Sequence, residues 1–208
     1  MAKSNYDITR DRMEKAFLTY DQAQMMKRYQ LRCDKDYLYL PLLAREYRVS
    51  RTTGRVEWSP DGFQTAEHAG FDESMTIFDV LCYGTGIGLS GRFVSMEHLP
   101  GAVRTASIEQ GMFQQAAERF AHRTEQLARA CEALGGQKER VGDVAYRLPL
   151  FPFLPVLLQF WDADEEFGPV VKIMWDERVL DYLHYETTFY AVSHLWRRLE
   201  EEMQESLV

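Results

Sequence analysis

Two apolar runs, Phe151-Pro-Phe-Leu-Pro-Val-Leu-Leu-Gln-Phe-Trp161 and Pro169-Val-Val-Lys-Ile-Met-Trp175, flank the polar insert Asp162-Ala-Asp-Glu-Glu-Phe-Gly168. Each run is too short for a long helix and rich in β-branched or aromatic residues. The insert carries the Asp, Glu and Gly of a turn, so the pair predicts a hairpin over 151–176. A chain with such a hairpin needs something to cover its apolar face. At 208 residues, 46% of them hydrophobic, it has enough material for one core.

The rest of the pattern supplies the cover. Met13, Ala16, Phe17, Tyr20 and Ala23 recur at helical spacing and predict an N-terminal helix over 6–31. Leu38, Leu40 and Leu42 alternate as in a strand, and Tyr47/Val49 can oppose Val56/Trp58 across a hairpin tip at Thr53-Gly54. Asp72 can cap a second helix through Ile77, Phe78, Val80 and Leu81, stopped by Gly84. A third helix is expected from about Ile108 to Leu134, ended by Gly135-Gly136. Further strands are expected at Val144 to Leu148, Val156 to Trp161 and Val170 to Trp175, with a short helix at Glu177 to Leu183 capped by Asp176. The last helix, 187–204, would turn Phe189, Val192, Leu195, Trp196, Leu199 and Met203 inward. Arg197/Glu201 and Arg198/Glu202 would then pair on its wet side. The expected fold is α+β, a mostly antiparallel sheet with hairpins packed against several helices in a single domain of residues 1–208.

Composition narrows the function classes. A net charge of −8 with scattered bases argues against a nucleic-acid partner. The local cluster Arg45, Arg48, Arg51 and Arg55 reads as solvated strand-edge charge. The apolar stretch from Leu148 to Trp161 is interrupted by prolines and is too short to span a bilayer. The N-terminus runs into charge where a signal core would stand, so a cytoplasmic location is expected. Cys33, Cys82 and Cys131 have no metal-ligand spacing, and no cofactor is implied for the chain itself.

Three groupings could carry chemistry. Gly86-Ile-Gly88-Leu-Ser-Gly91 fits G-x-G-x-x-G, but a helix is expected before it and a strand after it, the reverse of a dinucleotide site. Asp162 and Asp164 head an acidic turn that could hold a divalent ion through oxygen ligands. The spacing departs from a calcium-binding loop, because Phe167 stands where glycine is needed, so no metal site is assigned. His184 and Glu186, in Asp181-Tyr-Leu-His-Tyr-Glu186, are the candidate catalytic residues. Trp161, Trp175 and Tyr185 are candidates to line a ligand pocket.

Several blocks together resemble a known family: Tyr39-Leu-Pro-Leu-Leu-Ala-Arg-Glu-Tyr-Arg-Val, Thr76-Ile-Phe-Asp-Val-Leu-Cys-Tyr, Gly91-Arg-Phe-Val-Ser-Met-Glu-His-Leu-Pro-Gly101, Leu134-Gly-Gly, Gly142-Asp, Trp161-Asp-Ala-Asp-Glu-Glu-Phe, Ile173-Met-Trp-Asp176 and Tyr182-Leu. The chain is similar to a prokaryotic family catalogued as a domain of unknown function. The resemblance implies an anaerobic setting, in which some relatives carry an iron–sulfur cluster-binding domain like that of corrinoid iron–sulfur proteins. This chain has no cysteine cluster, so the resemblance implies an iron–sulfur or corrinoid centre on a partner protein. Two functions are in view: a non-catalytic accessory module that binds a partner or small ligand, and a small metal-dependent hydrolase or transferase using the acidic turn.

Overall fold

The computed structural model describes residues 4–99 and 106–205, without side-chain detail for 106–110 and 205. The start of the predicted third helix, Ile108, has its side chain outside the described residues. Among the described residues the fold is α+β with two antiparallel five-stranded sheets. The chain resolves into two compact units, residues 1–88, 151–153 and 181–194 forming the first, and 89–150, 154–180 and 195–208 the second.

In the first unit, β1 (Arg32–Cys33), β2 (Tyr37–Leu42), β3 (Arg45–Ser50), β4 (Val56–Trp58) and β5 (Glu67–His68) form a meander in sequence order. Leu38, Leu40 and Leu42 all point into the core, and Tyr47 faces Trp58 while Val49 faces Val56, the register expected from their alternation. The four arginines of this region are engaged by their neighbours: Arg48 bonds Glu57 at 2.8 Å, Arg55 pairs with Glu57, Arg45 stacks on Trp58, and Arg51 donates to the Asp34 carbonyl.

The β2–β3 turn consists of Leu43 and Ala44, both with positive φ, +49° and +59°. A two-residue hairpin of this hand needs left-handed backbone at both central positions, which only glycine adopts without steric cost. Leu43 is fully buried and keeps its place through packing; Ala44 is exposed and has no such compensation. Ala44→Gly is therefore expected to stabilise the protein by roughly 0.5 to 1 kcal/mol, read as a higher denaturant midpoint at unchanged m-value. A lower midpoint would show that the turn is not strained.

The helices of this unit are α1 (Asn5–Phe17), α2 (Gln22–Tyr29), α3 (Phe71–Cys82) and the first half of α6 (Tyr185–Glu205). The single helix expected over 6–31 is two. Asp21 accepts the Gln24 amide as a new N-cap, and the Thr19 hydroxyl bonds back to the Ala16 carbonyl, so the chain is recapped where periodicity alone would carry it through. Tyr20 consequently lies in the break, 46% exposed, while Phe17 and Met25 are buried. At α3 the cap is Gly70 rather than Asp72: Glu73 accepts the Gly70 amide, and Asp72 is bonded by the Ser193 hydroxyl.

In the second unit the strand order is β6 (Phe93–Ser95), β10 (Val170–Asp176), β9 (Leu154–Trp161), β8 (Val144–Phe151), β7 (Gln137–Lys138). The expected hairpin is β9–β10, paired from Trp161 opposite Val170 to Trp175 opposite Val156. Its first strand starts at Leu154 and not at Phe151, because Pro152-Phe153 turns the chain and leaves Phe151 as the end of β8. Phe160, Val156, Ile173 and Trp175 share the buried face, with Phe120 of α4 (Ala106–Phe120) edge-on to Phe160 at 6.2 Å and to Trp196 at 5.7 Å.

The third helix is also two, α4 and α5 (Thr124–Ala133). His122 takes a left-handed conformation between them, and its amide donates to Asp162 at 2.8 Å, a long-range bond that local periodicity does not encode. In the second half of α6, Arg198 is buried and not on a wet face. Its guanidinium holds Glu201 at 2.5 Å and Glu202 at 2.7 Å.

Candidate functional site

The glycine run joins α3 to β6, helix before and strand after, the reverse of the strand, glycine loop and helix order that a dinucleotide site uses. The end of this loop is held by an internal anion. Asp176, at the end of β10 and 1% exposed, accepts the amides of Ser90 (3.1 Å), Gly91 (2.7 Å) and Arg178 (2.9 Å) and the Ser90 hydroxyl (3.2 Å). Converging backbone amides of this kind suit an anion, and here the protein supplies its own carboxylate. The Arg178 bond is the cap expected of Asp176, now opening a turn before the short 3-10 helix Val179–Asp181. The Ser90 and Gly91 bonds have no signal in the sequence, being 86 and 85 residues away.

His184, the last residue before α6, meets Asp79 of α3 and not Glu186. Its amide donates to one carboxylate oxygen at 2.6 Å and its Nδ1 lies 2.5 Å from the other. With Nδ1 against the carboxylate, Nε2 is left as the outward nitrogen of an imidazole that is 55% exposed, over a carboxylate that is 11% exposed. Tyr83 lies against the ring at 3.9 Å. The neighbouring Cys82 thiol is pushed up to about 12 by burial and by the Asp79 charge, so it stays protonated and is no nucleophile at neutral pH. Glu186 is exposed on the first turn of α6.

The acidic hairpin turn is folded onto its own backbone. Asp164 accepts the Glu166 and Phe167 amides at 2.8 and 2.7 Å, which hold its carboxyl below the usual carboxylate range. Asp162 accepts the amides of His122 and Ala163. Among the described residues, no three His, Cys, Asp or Glu side chains are grouped to hold a metal ion, and no helix is long and apolar enough to cross a membrane.

Of the three residues expected to line one pocket, Trp161 and Trp175 do not share a face. Register places Trp161 and Trp175 on opposite faces of the second sheet, and Tyr185 belongs to the first unit, edge-on to Phe189 at 5.5 Å. Trp175 is fully buried; Trp161 is half-buried, with the Lys172 ammonium 5.1 Å from its ring centre.

A concave site that sequence reasoning missed runs beside β10. One hollow of about 550 Å3 is lined by Gly111, Phe113, Gln114, Ala117 and Pro169–Val171. A second of about 220 Å3 is lined by Ser95–Glu97, Phe113 and Val171–Ile173. They share Phe113 and Val171 and so form one mostly apolar trough between α4 and β10. The sequence signal for it is modest: Phe113 and Ala117 lie four apart on α4, a spacing that also reads as ordinary core.

No curated protein and no solved structure matches this chain. The family comparison matches over residues 21–198, which take in all ten strands described above, the Asp79–His184 pair, Asp176 and the trough, while α1 precedes it. The chain therefore belongs to the family described as Domain of unknown function (DUF3786).

Proposed function

We propose that this chain is a non-catalytic accessory module, acting as one domain in the cytoplasm of an anaerobe and binding a partner protein or small ligand. The trough beside β10 is the observation that carries this reading. Its volume is within the range of ligand sites, and its walls offer apolar area with few polar groups. The polar groupings do other work: Asp176 ties down a loop, and the acidic turn satisfies its own amides. The redox or corrinoid direction comes from the resemblance to relatives with an iron–sulfur cluster-binding domain, which makes a partner with an iron–sulfur or corrinoid centre the expected binding protein.

The alternative, a small metal-dependent hydrolase or transferase using the acidic turn, would find an oriented imidazole in the Asp79–His184 pair. A photo-crosslinking residue at exposed Gln114, expressed in the native host, separates the two. The module reading expects one crosslinked chain carrying an iron–sulfur or corrinoid centre, lost in Phe113→Asp. The reading fails if no such chain is captured while the purified protein turns over a phosphoester or glycoside and loses that activity in His184→Ala or Asp164→Asn.

A further inference from the structure

Histidine is the commonest side-chain ligand of metals, and it binds through the lone pair of one ring nitrogen while the other is oriented by a hydrogen bond, often to a carboxylate. The chain has five histidines. His68 spends its Nε2 on Glu14 at 2.8 Å, and His194 is buried with its Nε2 3.1 Å from the Tyr47 hydroxyl. His98 and His122 are exposed, but the Nδ1 of the first meets the Ser95 hydroxyl, and that of the second stands 3.9 Å from Asp162, beyond hydrogen-bond reach. Of the five, His184 combines a carboxylate on Nδ1 with an Nε2 that faces outward from an exposed ring.

Asp79 fixes more than the tautomer. It takes the His184 amide on its second oxygen at 2.6 Å, so one carboxylate holds both the backbone and the imidazole of this residue. Tyr83 lies four residues after Asp79, at the end of α3, and reaches the same side of the helix, where its exposed ring covers a face of the imidazole. The lone pair is therefore aimed before any ligand arrives, and binding does not have to order it.

We propose that His184 Nε2 coordinates a metal that the partner carries in a cationic tetrapyrrole ring, filling one axial position of it. This rests on the binding-module reading and names the group that the partner presents. A single imidazole supplies one coordination position. A metal in a tetrapyrrole has its in-plane positions filled and takes a lone protein imidazole on its axis. So broad a complex can reach a nitrogen only where the imidazole stands clear of the surface, as His184 does, and the exposed Tyr83 ring offers apolar area beside it. Charge selects a cationic ring. Asp79 lies behind the imidazole, Glu186 is exposed two residues on, and the whole chain carries a net charge of −8.

Absorption titration of the full chain with two soluble probes tests this. One is diaquacobinamide, a cationic cobalt corrin with water on its axis; the other is an iron(III) porphyrin bearing four N-methylpyridinium groups. An imidazole that displaces axial water moves the visible bands of either probe, and the one that responds tells cobalt from iron. The expected result is saturable binding of at least one probe, weakened at least tenfold in His184→Ala and at least threefold in Tyr83→Ala. Binding should stay within twofold of the parent in the double variant His98→Ala/His122→Ala. His184→Gln keeps a polar group at this exposed position and takes the place of His184→Ala if that variant does not fold. No band shift with either probe, a shift that survives the loss of His184, or one that disappears in the double variant overturns the proposal. The Gln114 crosslink decides the module reading separately.

Discussion

Trp175→Ala is expected to remove about 3 to 5 kcal/mol of stability, enough to leave much of a marginally stable protein unfolded. Trp175 is fully buried opposite Val156, on the face shared with Phe160 and Ile173, so removing its ring opens a cavity that the surrounding strands can close only in part. Trp161→Ala provides the control. It ends the neighbouring strand but on the other face, half-buried, and its loss is expected to cost less than half as much. Urea denaturation of both variants checks the pair. Equal midpoints would mean that the second sheet is packed on both faces alike, contrary to the register.

Asp176→Ala is expected to cost at least about 3 kcal/mol through a different mechanism. Three amides and one hydroxyl converge on this carboxylate, and a hydrogen bond to a charged group contributes about 1.5 to 3 kcal/mol, with strong non-additivity when several share one acceptor. Truncation leaves these donors pointing at a vacated anion position. Formate or acetate should then bind and raise the melting temperature of Asp176→Ala while leaving the parent protein unmoved. If neither anion raises the melting temperature of the variant, the loop has collapsed and the carboxylate is not acting as an internal anion.

Much of the sheet structure was readable because its determinants are local. The alternation of Leu38, Leu40 and Leu42, the pairing of Tyr47 and Val49 with Trp58 and Val56, and the acidic turn between Trp161 and Val170 each need only a few neighbouring residues. Helix ends were harder. Met13 to Ala23 and Phe113 to Leu134 keep helical spacing across breaks set by the Asp21 cap and by the reach of Asp162 to the His122 amide. Spacing reports which face is apolar, not whether the axis continues.

The site was legible in part. His184 stands out in the sequence, but its partner Asp79 is 105 residues earlier and looks like any acid on a helix. Trp161 and Trp175 end two paired strands, but strand alternation puts them on opposite faces. The trough lies where β6, three residues long, pairs with β10 only at Met174 to Asp176, and α4 comes beside the rest of that strand. Strand length against a distant partner is a tertiary property, and no run of residues announces it.

The interleaving of the two units has a consequence for synthesis. The first unit contains residues 1–88, but its last piece is 181–194. Translation at roughly 5 to 20 residues per second delays that piece by roughly 5 to 20 seconds. During this interval Tyr47 lacks His194, its partner at 3.1 Å, and Asp79 lacks His184. The strands around Leu38, Leu40 and Val49 have formed their local pairs, yet the helix that buries Ala191 and Val192 has not been made. A nascent chain in this state presents apolar surface to whatever it meets, so ribosome-bound chains stalled before residue 181 should recruit holdase chaperones far more than chains in which residues 181–194 have cleared the ribosome exit.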